Sequence, residues 1–241
     1  MYKRQLLTET ITFFTRVPLS KFFLSGTWNP TGSSPEFGIW ALIIGTLKIT
    51  VIATIVAVPI GLGAAIYLNE YASDRSRRII KPILEILAGI PTIVFGFFAL
   101  TFVTPILRNL IPNLGEFNSI SPGIVVGIMI VPMITSMSED AMSSVPDKIR
   151  EGAFGLGATK FEVATKVVLP AATSGVVASV VLGISRAIGE TMIVSLAAGS
   201  SPTSSLSLTS SIQTMTGYIV EIATGDAAFG SDIYYLSLIH I

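Results

Sequence analysis

Two opposite charges stand four residues apart inside an apolar run: Arg186 and Glu190 in SRAIGETMIVSLAAG, residues 185–199. A helix places positions i and i+4 on one face. At the centre of a membrane helix each charge costs about 3 kcal/mol on insertion scales, so both belong on a bundle interior or an aqueous path. Arginine presents a rigid fork of donors that stays ionised and matches tetrahedral oxyanions. A neighbouring carboxylate accepts a hydrogen bond from an oxyanion that still carries a proton, as phosphate does near neutral pH. It repels one that carries none, as sulfate does. The plainer alternative is a structural Arg186–Glu190 pair that locks helix packing.

Other chemistries are thinly supplied. The chain has no cysteine and a single histidine, His240. That argues against disulfides, thiolate chemistry, zinc sites and histidine-based triads. GAFGLGATK, residues 152–160, comes closest to a phosphate-binding loop, but Ala158 stands where the lysine is needed. ATP hydrolysis therefore needs another polypeptide. No carboxylates are paired for acid–base work in a shared pocket, and no metal site or cofactor is expected.

The elements that must position Arg186 and Glu190 are membrane helices. Of 241 residues, 51% are hydrophobic and 12% charged, about half the charge of a soluble domain, and mean hydropathy is +0.74. Both ends are set aside first. Met1–Gln5, MYKRQ, and Leu236–Ile241, LSLIHI, match translated read-through of a transposon sequencing adapter in its two orientations. The chain then reads as a fragment open at both ends. Without Lys3 and Arg4 it holds 13 basic against 15 acidic residues.

Four apolar segments approach or exceed the length of a spanning helix: about 39–68, 83–107, 123–137 and 171–198. A fifth begins near Tyr234. Lys and Arg alternate between the connections. The first holds Arg75, Arg77, Arg78 and Lys81, the second only Arg108. The third holds Lys148, Arg150, Lys160 and Lys166; Ser200–Asp232 holds none. The first and third connections are thus cytoplasmic. Residues 6–38 and 199–235 are extracytoplasmic, the latter leading into a truncated last helix, and 39–198 form the transmembrane core. Gly123 and Gly127 suit close helix packing. Lys48 lies near the outer end of its span and is expected to snorkel. Glu85 is expected to be solvated. Glu139 and Asp140 cap the cytoplasmic end of the third span.

The third connection, VPDKIREGAFGLGATKFEVATKVVLPAA, is too regular for a linker. Pro146 and Asp147 suit a helix start. Ile149, Ala153 and Leu156 share a face. Gly155 and Gly157 break the helix. Thr159 with Glu162 forms a capping box for a second short helix, with Phe161, Ala164 and Val168 along one side. Leu169-Pro170 ends it. A helix–turn–helix held between two spans is a handle: a partner that grips it moves both.

Glu151-Gly152-Ala153, three residues, Gly157, nine residues, Val167, one residue, Leu169-Pro170 resembles the EAA loop of ABC importer permeases. Gly152 and Val167 depart from the usual alanine and isoleucine. ISRAIGETMIV is similar to the corresponding segment of phosphate-specific permeases of the PstC type. FFLSGTWNP, MSEDAMSSVPDKIREGAFGLGATKFE and IQTMTGYIVEIATGD extend the likeness over nearly all of 6–235.

The resemblance implies an all-α polytopic bundle of the type I ABC importer permease fold, in a bacterial inner membrane and truncated at both ends. It implies a coupling loop at 142–170, with Glu151, Gly152, Ala153, Gly157, Ala158, Leu169 and Pro170 docking on an ATPase. Arg186 and Glu190 would lie on the substrate path. Implied partners are a second permease of the PstA type, a PstB-type ATPase dimer and a periplasmic PstS-type phosphate-binding protein. The implied function is phosphate import by alternating access. The alternatives are a permease for sulfate or molybdate, an ATP-independent anion channel, a membrane scaffold, and, last, an intramembrane enzyme.

Overall fold

A computed structural model describes residues 2–30 and 35–224; the expected scar Leu236–Ile241 and the fifth span lie outside them. Among the described residues three helices are long and apolar enough to cross a membrane: Trp40–Tyr71, Thr92–Leu110 and Ile120–Ser143. Lys160–Ala171 and Thr173–Ile188, bent by 76° at Ala172, make a fourth if taken together.

In chain order, α1 is Tyr2–Arg16 and α2 Leu19–Leu24, followed by strands β1 (Trp28–Asn29) and β2 (Glu36–Phe37). Next come α3 (Trp40–Ile66), which ends in a widened turn at Tyr67–Tyr71, and α4 (Asp74–Gly89). α5 (Thr92–Phe98) and α6 (Thr104–Leu110) flank another widened turn, and α7 is Ile120–Ser143. α8 (Asp147–Gly155), α9 (Lys160–Glu162), α10 (Leu169–Ala171), α11 (Thr173–Ile188), α12 (Met192–Ala197) and α13 (Met215–Thr224) complete it.

Two expected spans are interrupted. Residues 83–89 belong to α4, which buries none of its residues. Before Pro91 the chain turns extended at Ile90 (φ −67°, ψ 130°), because proline's ring excludes the helical region for the residue before it. The fourth span stops at Ile188 and restarts at Met192. The third runs past Met137 to Ser143, since its polar end finds partners.

The chain divides into two compact units, each with its own core. One comprises 51–91 and 126–188. In it α3 and α7 run parallel. A Cβ on Gly127 would stand 2.8 Å from Val56. Thr135 donates to the Gly61 carbonyl at 3.2 Å, and Asn69 Nδ2 to Ser143 Oγ at 2.8 Å. α11 runs antiparallel to α7. Gly175 leaves no room for a Cβ against Ala141, the Ser138 and Ser179 hydroxyls bond at 2.7 Å, and Gly183 faces Ile134. Small residues let these backbones approach closely, as membrane helix interfaces require.

The other unit comprises 1–50, 92–125 and 189–241. Its core gathers Phe13, Phe22, Trp28, Phe37 and Tyr218, largely in edge-to-face contacts. β1 and β2 pair antiparallel, Trp28 opposite Phe37. Lys48 does not snorkel. It is buried, and its ammonium donates to the carbonyls of Ser205 and Ser207, the latter at 2.8 Å.

Candidate functional site

Arg186 sits near the C-terminal end of α11, exposed, and lines a cavity of about 250 Å³. One wall is a face of α4: Lys81, Leu84, Glu85 and Ala88, at helical spacing. The other is a face of α7: Met129, Pro132, Met133, Ser136 and Glu139. The antiparallel pairs Gly175 with Ala141, Ser179 with Ser138 and Gly183 with Ile134 put Arg186 level with about position 130 of α7. At 1.5 Å per residue, Glu139 then lies about 13 Å closer to the C-terminal end of α7.

The charges in this cavity are unequally engaged. Lys81 Nζ lies 2.7 Å from Glu139 Oε2, the lysine side chain 46% exposed and the carboxylate 4%. Arg186 enters none of the ion pairs among the described residues. Glu85, expected to be solvated, is exposed but faces the cavity. Two cations and two carboxylates thus share one apolar-walled space.

Glu190 takes up a different task. Its side chain accepts from the amides of Met192 (3.1 Å) and Ile193 (3.3 Å), the first free donors of α12. The residue is 8% exposed. A carboxylate there is favoured by the helix dipole, and its local bonds compete with continuation of the helix, which accounts for the break after Ile188.

The third connection folds much as its local signals indicate. Asp147 opens α8. Gly157 has φ +84°, a left-handed conformation costly for residues with a Cβ. Thr159 and Glu162 form the full capping box, the Thr159 amide donating to Glu162 Oε2 at 3.1 Å and the Glu162 amide to Thr159 Oγ1 at 3.3 Å. That backbone bond, with the Lys166 ammonium and the Thr159 hydroxyl, holds the Glu162 carboxyl below its ordinary range.

Two face assignments change. Ala153 packs on the core, whereas Ile149 and Leu156 point outward, Leu156 because it lies beyond the end of α8. Val163, Ala164 and Val168 are buried but Phe161 is 67% exposed, since the widened turn over Val163–Val168 shifts the helix phase. Leu169-Pro170 does not end the helix: both lie in α10, at the end of the continuous run Lys160–Ala171, and the bend follows at Ala172. Ala158 and Leu169 also pack against the core; Glu151 and Gly152 are exposed.

Arg150 joins this loop to the helices that precede it. Its guanidinium donates to the carbonyls of Met142 (2.7 Å) and Val145 (2.6 Å), to Asn69 Oδ1 (3.3 Å), to Glu70 Oε1 (3.3 Å) and to Asp147 Oδ1 (2.9 Å). It thereby satisfies the C-terminal end of α7 and holds the turn that closes α3. Sequence reasoning used Arg150 and Lys81 only for their sign and missed these roles. The available signal was Glu139 on the stripe 129, 132, 133, 136, 139 of an otherwise apolar helix.

Residues 57–239 match the family described as binding-protein-dependent transport system inner membrane component. A probable ABC transporter permease protein, YqgH of Bacillus subtilis, is 36% identical over 212 residues, covering 88% of this chain and 68% of that protein. The phosphate transport system permease protein PstC of Mesorhizobium japonicum is 35% identical over 237 residues, covering 90% and 71%. Among solved structures, an inward-facing MetNI methionine ABC transporter aligns with a TM-score of 0.58 at 16% identity, covering 84% of this chain and 85% of that one.

Proposed function

The chain belongs to the family of binding-protein-dependent transport system inner membrane components, and we propose that its cargo is phosphate, passed by alternating access. Membership makes it a multi-pass permease of bacterial inner membranes with the type I ABC importer fold. The observation that carries the cargo reading is Arg186: a permanently charged fork, free of ion pairs among the described residues, at an apolar-walled cavity. Likeness to phosphate permeases supports it. Glu190, four residues on in sequence, is proposed to favour a protonated oxyanion.

The coupling partner is a separate ATPase. Ile149, Phe154, Leu156 and Phe161 are 45%, 42%, 92% and 67% exposed on the cytoplasmic connection, an apolar group of the kind that marks a protein contact. Glu151, Gly152, Gly157 and Pro170 are exposed on the same connection, while Ala153, Ala158 and Leu169 pack on the core beneath it. The assembly would include a second permease, an ATPase dimer and a periplasmic phosphate-binding protein.

Uptake of ³²P-orthophosphate tests this in cells lacking their own phosphate importers and expressing the permease with these partners. The reading expects uptake that needs ATP and resists excess sulfate or molybdate. Competition by sulfate or molybdate would change the cargo. Uptake without ATP would make the protein a channel.

A further inference from the structure

The proposed function leaves three charges in the cavity unused; Glu85 enters no ion pair among the described residues, and the other two are Lys81 on α4 and Glu139 on α7. They are paired at 2.7 Å, with Glu139 nearly buried and Lys81 about half exposed. A buried pair is weak evidence for stability, because desolvation offsets most of the attraction. An apolar pair would have closed the same wall. Glu139 instead lies about 13 Å along α7 from the level of Arg186, toward the end of α7 that the loop charges mark as cytoplasmic.

Resting on the reading of Arg186 as part of an oxyanion path, we infer that Lys81 is a second oxyanion ligand and Glu139 its built-in competitor. With the cavity empty, Glu139 holds the ammonium and keeps it aimed at the space. An arriving oxyanion offers oxygens of the same charge and takes the lysine, whose flexible stem lets it swing between the two. When the anion departs, the carboxylate recaptures Lys81. The competitor serves release: conduction needs a site strong enough to enter and weak enough to leave. A cationic station with no internal carboxylate would retain its cargo.

Equilibrium binding of ³²P-orthophosphate to the purified assembled transporter, without its binding protein, tests the inference through opposite signs. Lys81→Met removes a charge-assisted bond and should weaken binding on the order of tenfold. Glu139→Gln removes the competitor and should tighten binding by a similar factor, while slowing release. Lys81→Met with Glu139→Gln leaves no unpaired buried charge, assembles, and should bind as weakly as Lys81→Met alone. Glu139→Gln binding no tighter than wild type in an assembled transporter would overturn the inference. So would Lys81→Met binding normally while Arg186→Gln does not, with the path reading intact. Normal binding by Arg186→Gln would remove the path reading itself.

Discussion

Replacing Arg150 by methionine keeps the length of the side chain and removes every donor. Five acceptors lose a partner: two carbonyls at the end of α7, Asn69, Glu70 and Asp147. Asp147 is 87% exposed as a side chain and water replaces its bond, so it contributes little. Glu70 is 8% exposed as a side chain and Arg150 14%. Stripping one partner from a buried pair costs about 3–5 kcal/mol. The 3.3 Å separation and residual exposure argue for the lower end, about 3 kcal/mol.

Arg150→Lys keeps the charge but not the fork, and should cost about 1–2 kcal/mol. Adding Glu70→Gln to Arg150→Met removes the stranded carboxylate and should recover about 1 kcal/mol or more, a non-additivity expected for residues in contact. Thermal unfolding of the purified protein measures these differences. Under the proposed function, ATP turnover by the partner ATPase per phosphate transported measures the second consequence: a loop released from α3 and α7 would pass less of that turnover on to uptake. Equal stability of Arg150→Lys and wild type, or no recovery in the double variant, would refute the reasoning.

Gly157→Ala should destabilise the turn between α8 and α9 by about 1–2 kcal/mol, because Gly157 lies at φ +84° although open space surrounds it; limited proteolysis of the loop reads it. Gly175→Leu should cost about 1–3 kcal/mol by overpacking, its Cβ alone overlapping the Ala141 Cβ; thermal unfolding would show no change if α7 and α11 separate freely. Glu162 is held below its ordinary value of 4.5. Its contribution to the capping box is therefore complete above that value and lost as pH falls through the lower folded one. Hydrogen exchange at residues 160–163 should show that acid-linked loss in wild type and not in Glu162→Gln.

Legibility followed sequence distance. The capping box, the Gly157 turn and the Asp147 start are local, and residues within four positions determine them. The break at Ile90-Pro91 was also local, but continuous hydropathy across 83–107 masked it. What stayed hidden joins residues far apart in sequence: Lys48 to Ser205 and Ser207, Arg150 to Glu70, Lys81 to Glu139. For Lys48 the long side chain suggested a snorkelling end, and Arg150 and Lys81 entered only through their sign. Helix packing decided otherwise, by bringing an uncompensated acceptor within reach. Arg186 stood out by its cost in an apolar run, which needs no partner to be noticed, and the structure shows that it lines a cavity.

The most direct measurement is ATP-dependent ³²P-orthophosphate uptake by Arg186→Gln, with assembly verified by co-purification of the partner subunits. The account predicts intact assembly and uptake reduced by at least about tenfold, the loss of one charge-assisted bond to the anion. Wild-type uptake by the assembled Arg186→Gln transporter would contradict it.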